Sequence, residues 1–148
     1  MPKRLTVALR NGHAMMVTRV SIGKKRLVYV ILAQKPLKYR WGRSRVVYIG
    51  TTKKGMARIA QSVAARAETV LDLYGVREFH VRILTCAPRP GLDSWVKLER
   101  ALLLAFREKY GDLPKCNSAG KNMREDGVFD YFKRERLGRL LEALAGIE

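Results

Sequence analysis

The chain has 148 residues, 47% of them apolar, and a formal net charge of +17 from 30 Lys and Arg against 13 Asp and Glu. That length buries a core without disulfides or a structural metal, and the apolar content excludes a disordered chain. No apolar run approaches a membrane span, and the positive field draws polyanions and repels acidic partners. The opening residues, Met1-Pro2-Lys3-Arg4-Leu5, lack the long apolar stretch of a signal peptide, so a cytoplasmic or nucleoid-associated protein is expected. Residues 5–10 partly alternate, Asn11-Gly12 is a turn signal, and 15–22 is a second β-like run. Together they predict an N-terminal hairpin. Residues 27–32 read Leu-Val-Tyr-Val-Ile-Leu, apolar on both faces as in a central strand. A basic, turn-rich connection over 34–45 follows, then a second apolar strand at 46–50 that pairs antiparallel with the first, leaving a long tip.

Thr51 and Thr52 offer capping hydroxyls for a helix over 55–74, whose apolar residues recur mostly in steps of three and four. Phe79, Val81 and Ile83 alternate with His80 and Arg82 in a third strand over 79–84. Pro88 and Pro90 break the chain, and Asp93 or Ser94 can cap a helix over 94–110 that Gly111 ends. Residues 114–124 read as irregular, and a last amphipathic helix is expected over 128–145. Cys86 and Cys116 form no C-x-x-C pair, and His13 and His80 complete no zinc set, so both thiols read as ordinary. The expected fold is α/β or α+β in one domain over 1–148. A small, mostly antiparallel sheet is flanked by helices, with an added N-terminal hairpin and C-terminal helix.

Glu99 falls inside the apolar stripe of its helix, with Trp95 one turn before and Leu102 and Leu103 one turn after. A carboxylate there is expensive unless compensated. Either an arginine such as Arg58 or Arg100 pairs with it, or it is a metal ligand facing a cleft. Tyr48 stands in Val47-Tyr48-Ile49-Gly50, with Lys53 and Arg58 just beyond. It reads as an ordinary strand aromatic or as a phenol whose phenolate is favoured by the two cations. Gly50 lets another group approach the backbone closely, and Tyr29 on the neighbouring strand can point the same way.

These residues, in this order, resemble the GIY-YIG nuclease superfamily. Leu27-Val28-Tyr29 stands for the first element of that family, with Leu27 in place of its Gly and Val28 in place of its Ile. Tyr48-Ile49-Gly50 is the second element, intact. Arg58 lies ten residues after Tyr48, where the family carries an Arg on its first helix. Lys53 matches a position that often holds Lys, and Ser62 stands where some relatives have His. Glu99 matches the single metal-binding Glu, and Asn117 the later Asn, with Asn122 as the alternative. The resemblance covers 26–118, leaving 1–25 and 119–148 as extensions.

The resemblance implies a DNA endonuclease that hydrolyses phosphodiesters with one divalent ion, Mg²⁺ or Mn²⁺. Tyr48 would activate the attacking water, Arg58 would hold the scissile phosphate, and Glu99 would ligate the metal. Tyr29 would orient the water or a phosphate oxygen, Lys53 would bias Tyr48 toward phenolate, and Asn117 would brace the site. Duplex or branched DNA is the implied partner, with a homodimer left open.

In the 34–45 connection, Tyr39 and Trp41 are interleaved with Lys38, Arg40 and Arg43. That mixture suits backbone contact and base stacking, so Lys38, Arg40, Trp41 and Arg43, with Lys54, are candidate nucleic-acid contacts. A solvated tip whose Trp packs on the core is the plainer reading. The alternative function is a non-catalytic nucleic-acid-binding protein, either ribosome-associated or an inactive GIY-YIG scaffold.

Overall fold

A computed structural model of the chain describes residues 4–21, 23–118 and 123–146. Among them are a three-stranded antiparallel sheet and four helices, in the order β1 (Leu27–Tyr39), β2 (Gly42–Thr52), α1 (Met56–Leu71), β3 (Phe79–Leu84), α2 (Ser94–Tyr110), α3 (Val128–Tyr131) and α4 (Arg134–Ala145). The sheet order is β2-β1-β3, so β1 is central. This agrees with its unbroken apolar run: Leu27, Val28, Val30, Ile31 and Ala33 have no exposed surface.

The two faces of β1 build two sides of the molecule. Val28, Val30 and Leu32 pack with Val46 and Ile49 of β2 against α2 and α4, around Leu102, Phe106, Leu137 and Leu141. The opposite face turns Tyr29, Ile31 and Ala33 toward Ile59 and Val70 of α1. Glu99 therefore rides on the helix of one face, and the α1 residues cover the other. No helix among the described residues is long and apolar enough to cross a membrane.

The long hairpin tip is replaced by longer strands. β1 continues through Pro36 to Tyr39, and β2 begins at Gly42. Pro36 cannot donate to a ladder, and it is accommodated where the pairing jumps from Leu32↔Val46 to Leu37↔Ser44. Tyr39 is consequently not a tip residue. Its ring is buried on Phe106, and its hydroxyl donates to the Val46 carbonyl at 2.7 Å and accepts from Lys115 N at 3.0 Å.

The N-terminal hairpin does not form. Residues 4–18 have no strand, and a short 3₁₀ turn at Arg19–Ser21 is the only regular element before β1 among the described residues. Leu5, Val7 and Leu9 are 89%, 92% and 98% exposed, so their alternation has no apolar face to bury and nothing to enforce pairing. Residue 22, at the end of the expected second run, lies outside the described residues.

α1 is shorter than the expected 55–74, and neither threonine caps it. Thr52 still belongs to β2, with its hydroxyl accepting from Lys54 N at 3.0 Å. The cap is Gly55, at a φ of 77° with its N–H on the Lys25 carbonyl at 3.1 Å. A Cβ there would lie 2.8 Å from the Lys24 carbonyl oxygen, so both conformation and space require glycine. α2 spans the expected residues and ends on left-handed Gly111. The expected C-terminal helix is two helices, α3 and α4, because Phe132 is extended at φ −129° and ψ 119°.

Candidate functional site

Tyr29 and Tyr48 stand on neighbouring strands, with Tyr29↔Gly50 and Ile31↔Tyr48 as register partners. Their rings lean over the α1 face, with centroids 5.8 Å apart and planes tilted by 37°. Gly50 makes the space. A Cβ on it would fall 2.7 Å from Tyr48 Cε1 and 2.8 Å from Tyr29 Cζ. The close approach expected at Gly50 is that of the two tyrosines.

The Tyr29 hydroxyl shares a 2.6 Å hydrogen bond with Ser62 Oγ of α1. One turn further along α1, the Arg66 guanidinium sits 4.3 Å from the centroid of the Tyr48 ring. Arg66 and Tyr29 are thus the two side chains that act on the Tyr48 phenol. Burial dominates the phenol, however, and its pKa is pushed up to about 12, with Tyr29 adding to the rise and Arg66 opposing it. The expected bias toward phenolate from Lys53 and Arg58 is not found. Both are exposed, and the Arg58 guanidinium reaches Gln61 Oε1 at 3.4 Å. Lys54 is likewise exposed.

Glu99 is partly buried, and burial raises its carboxyl pKa against the opposing pull of a hydrogen bond with Thr51 and the charge of Arg100. It makes no salt bridge among the described residues. Arg100 instead binds Asp126 at 3.2 Å, and Arg58 lies elsewhere. The arginine-paired alternative for Glu99 is therefore not what the fold builds. Glu99 meets β2 at Thr51, three residues beyond Tyr48 and on the side of the sheet packed by α2.

Asn117 holds the outer edge of β2. Its Oδ1 accepts from Ile49 N and its Nδ2 donates to the Ile49 carbonyl, both at 3.0 Å. Cys116 N donates to the Val47 carbonyl at 2.8 Å. A side-chain amide thus completes a ladder that the edge strand would otherwise leave open. The alternative, Asn122, lies outside the described residues.

Four consecutive residues of β2 therefore touch most of the expected set. Tyr48 meets Tyr29 and Arg66, Ile49 meets Asn117, Gly50 lies under both rings, and Thr51 meets Glu99. No hydrogen bond, ion pair or ring contact among the described residues joins Glu99 or Arg58 to either tyrosine. No family model matches the chain, and neither a curated protein nor a solved structure matches it.

Arg66 is the residue that the sequence pattern does not single out, whereas Ser62, which stands where some relatives have His, turns out to be the partner of Tyr29. Arg66 stands seven residues after Ile59, three after Val63 and four before Val70, so it lies within the apolar stripe of α1. That was the available signal, of the same kind that singled out Glu99. As for metal, no group of three His, Cys, Asp or Glu side chains is assembled among the described residues. Mg²⁺ commonly uses one or two carboxylates and completes its shell with water and substrate phosphate. A desolvated carboxylate without a salt bridge, as at Glu99, is chemically suited to that demand.

At the hairpin end, Trp41 is 62% exposed, with Arg40 beside its ring at 5.6 Å. Lys38, Arg40 and Arg43 are exposed around it. These four remain free to meet a ligand, whereas Tyr39 does not.

Proposed function

We propose that this chain is a metal-dependent phosphodiester hydrolase acting on DNA, an endonuclease of GIY-YIG type. The observation that supports it is the Tyr48–Thr51 segment, whose successive residues meet Tyr29 and Arg66 on the α1 side of the sheet, Asn117 at its edge and Glu99 on the α2 side, so that a phosphodiester would have to lie across the edge of β2 to meet them all. Arg58 is exposed in the first turn of α1, a helix that begins without a side-chain cap and directly after exposed Lys53 and Lys54. Its unsatisfied N–H groups and three cations favour a phosphate there. Arg58 would grip that phosphate with its planar fork. Tyr48 would take a proton from the attacking water, with Arg66 holding the ring and offsetting charge on its oxygen. Tyr29 would stay a neutral donor oriented by Ser62. Glu99 would be the protein ligand of Mg²⁺ or Mn²⁺, an ion that supplies charge neutralisation at the leaving oxygen when bound.

The test uses Glu99→Gln. Cleavage of plasmid DNA with Mn²⁺ should be lost, and DNA binding without metal should be kept. Removing a carboxylate whose folded form disfavours charge should also raise the melting temperature at neutral pH. The sign follows from linkage: a raised carboxyl pKa costs stability as pH rises through it, so the difference should vanish in acid. Mn²⁺ should raise the melting temperature of the wild type and not of the variant. Wild-type cleavage by Glu99→Gln would sink the assignment.

A second reading has its own observation. With the Tyr48 phenol pushed up to about 12 and the Tyr29 hydroxyl engaged by Ser62, the cluster also suits a structural anchor in a non-catalytic nucleic-acid-binding protein. That reading predicts DNA binding with no cleavage under any divalent ion.

A further inference from the structure

We propose that the cleft between the β1–β2 hairpin and the 112–118 segment binds single-stranded nucleic acid, with phosphates on Lys38, Arg40, Arg43 and Lys115 and bases stacked on Trp41 and Tyr74. The inference names a substrate class for the hydrolase reading and depends on that reading only for where the strand is delivered.

The cleft has a volume of about 820 Å³, and its lining includes Lys38, Arg40 and Lys115, with Asp112 as the one acid. A second cleft of about 320 Å³ shares Lys38 and Lys115, adds Lys35, Arg43 and Tyr74, and has no acid in its lining. The shared residues make the two one basic trough. Such a concentration of cations is an electrostatic seat for a phosphate chain.

Charge alone would suit any polyanion, so the rings decide the class. Tyr74 is 94% exposed, with Lys35 Nζ 5.6 Å from its centroid. Trp41 is held at one side by Gly111, where a Cβ would come within 2.8 Å of its ring. Tyr74 lines the trough itself, and Trp41 stands in water at the hairpin end beside Arg40, a residue of its lining. Duplex DNA keeps its base faces stacked on one another and offers phosphates and groove edges. A single strand offers every base face, and stacking on aromatic side chains is how such strands are held without sequence preference. The trough also leads to the candidate site, because Asn117 lines it and pins Ile49 beside Tyr48.

The experiment uses the full chain in EDTA, so that cleavage plays no part. The protein has two tryptophans, and Trp95→Phe leaves Trp41 as the sole tryptophan, read by exciting beyond the absorption of the tyrosines. A thymidine oligonucleotide should quench it strongly, whereas heparin, a polyanion without bases, should not. Trp41→Ala and Tyr74→Ala should each weaken oligonucleotide binding roughly tenfold and leave duplex affinity nearly unchanged. Tyr74 is too exposed for its loss to threaten folding. Equal quenching by heparin, unchanged oligonucleotide affinity in both variants, or equal losses for duplex and single strand would overturn the proposal. A protein that binds the oligonucleotide in this way but never cleaves would refute only the hydrolase reading. One that cleaves without single-strand preference would refute only this one.

Discussion

Burial and charge pull the Tyr48 phenol in opposite directions. Desolvation raises its pKa, Arg66 against the ring lowers it, and the balance lies near 12, above the ordinary 10. If Tyr48 is the base, its reactive form is the phenolate. Below the pKa that fraction rises about tenfold per pH unit, so log rate should climb through pH 10 without a plateau. Tyr48→Phe should lose that slope and about a hundredfold or more in cleavage, while the retained ring keeps the packing over Gly50. Stability should follow a different sign. The folded phenol stays neutral while the unfolded one ionises near 10, so this group's contribution is intact below 10 and falls as pH rises toward 12. Thermal melts across that window check the second effect, and initial rates check the first. Normal turnover in Tyr48→Phe would leave Tyr48 as a structural aromatic. The tyrosine pair was legible in the sequence, because residues on adjacent apolar strands must share a face. Its pKa was not, because Lys53 and Arg58 are near Tyr48 along the chain and point into solvent, while Arg66 is distant in sequence and packed against it.

The edge of β2 shows what a strand needs when the sheet ends. Val47 and Ile49 face outward with backbone groups that another chain could pair, and Cys116 and Asn117 occupy them instead. Asn117→Ala would strip partners from both the N–H and the carbonyl of Ile49. The cost should be about 1–3 kcal/mol, less if water replaces the amide, and measurable by urea unfolding. Asn117→Ala should also loosen Tyr48, lowering cleavage beyond what stability explains. A variant with wild-type stability would mean that the side-chain ladder contributes nothing. The elements that sequence periodicity located are those with dense apolar content: the cores of β1 and β2, and β3 and α2. Those that failed depended on tertiary partners. The alternation at residues 5–9 meets no face, Pro36 is carried by a bulge that no local rule announces, and the 128–145 pattern cannot reveal that Phe132 leaves the helix. The brace by Asn117 crosses 68 residues of chain, so the family resemblance supplied the residue and only the fold supplied its partner.

At the scale of the whole molecule, a charge of +17 on 148 residues makes affinity for any nucleic acid a question of how many phosphates are met. Each phosphate neutralised releases counterions, so the slope of log affinity against log salt is about −0.9 per phosphate for duplex DNA and about −0.7 for a single strand. A net charge acting only as a diffuse field would give a slope insensitive to individual side chains. A built interface gives a slope that falls in steps. Lys38, Arg40 and Arg43 lie on exposed hairpin positions and form no ion pair among the described residues. Replacing all three with Gln removes 3 of the 30 Lys and Arg, lowering the formal charge from +17 to +14. If they bind phosphate, the slope should become shallower by about 2 to 3, because three phosphates would keep their counterions. The same number of exposed cations removed elsewhere, at Arg77, Arg82 and Arg89, gives an equal formal charge and should leave the slope nearly as it was. Fluorescence anisotropy over a salt series reads both variants side by side. Equal slopes in the two would mean that the hairpin is only part of the general field, and the interface would have to be sought on another face.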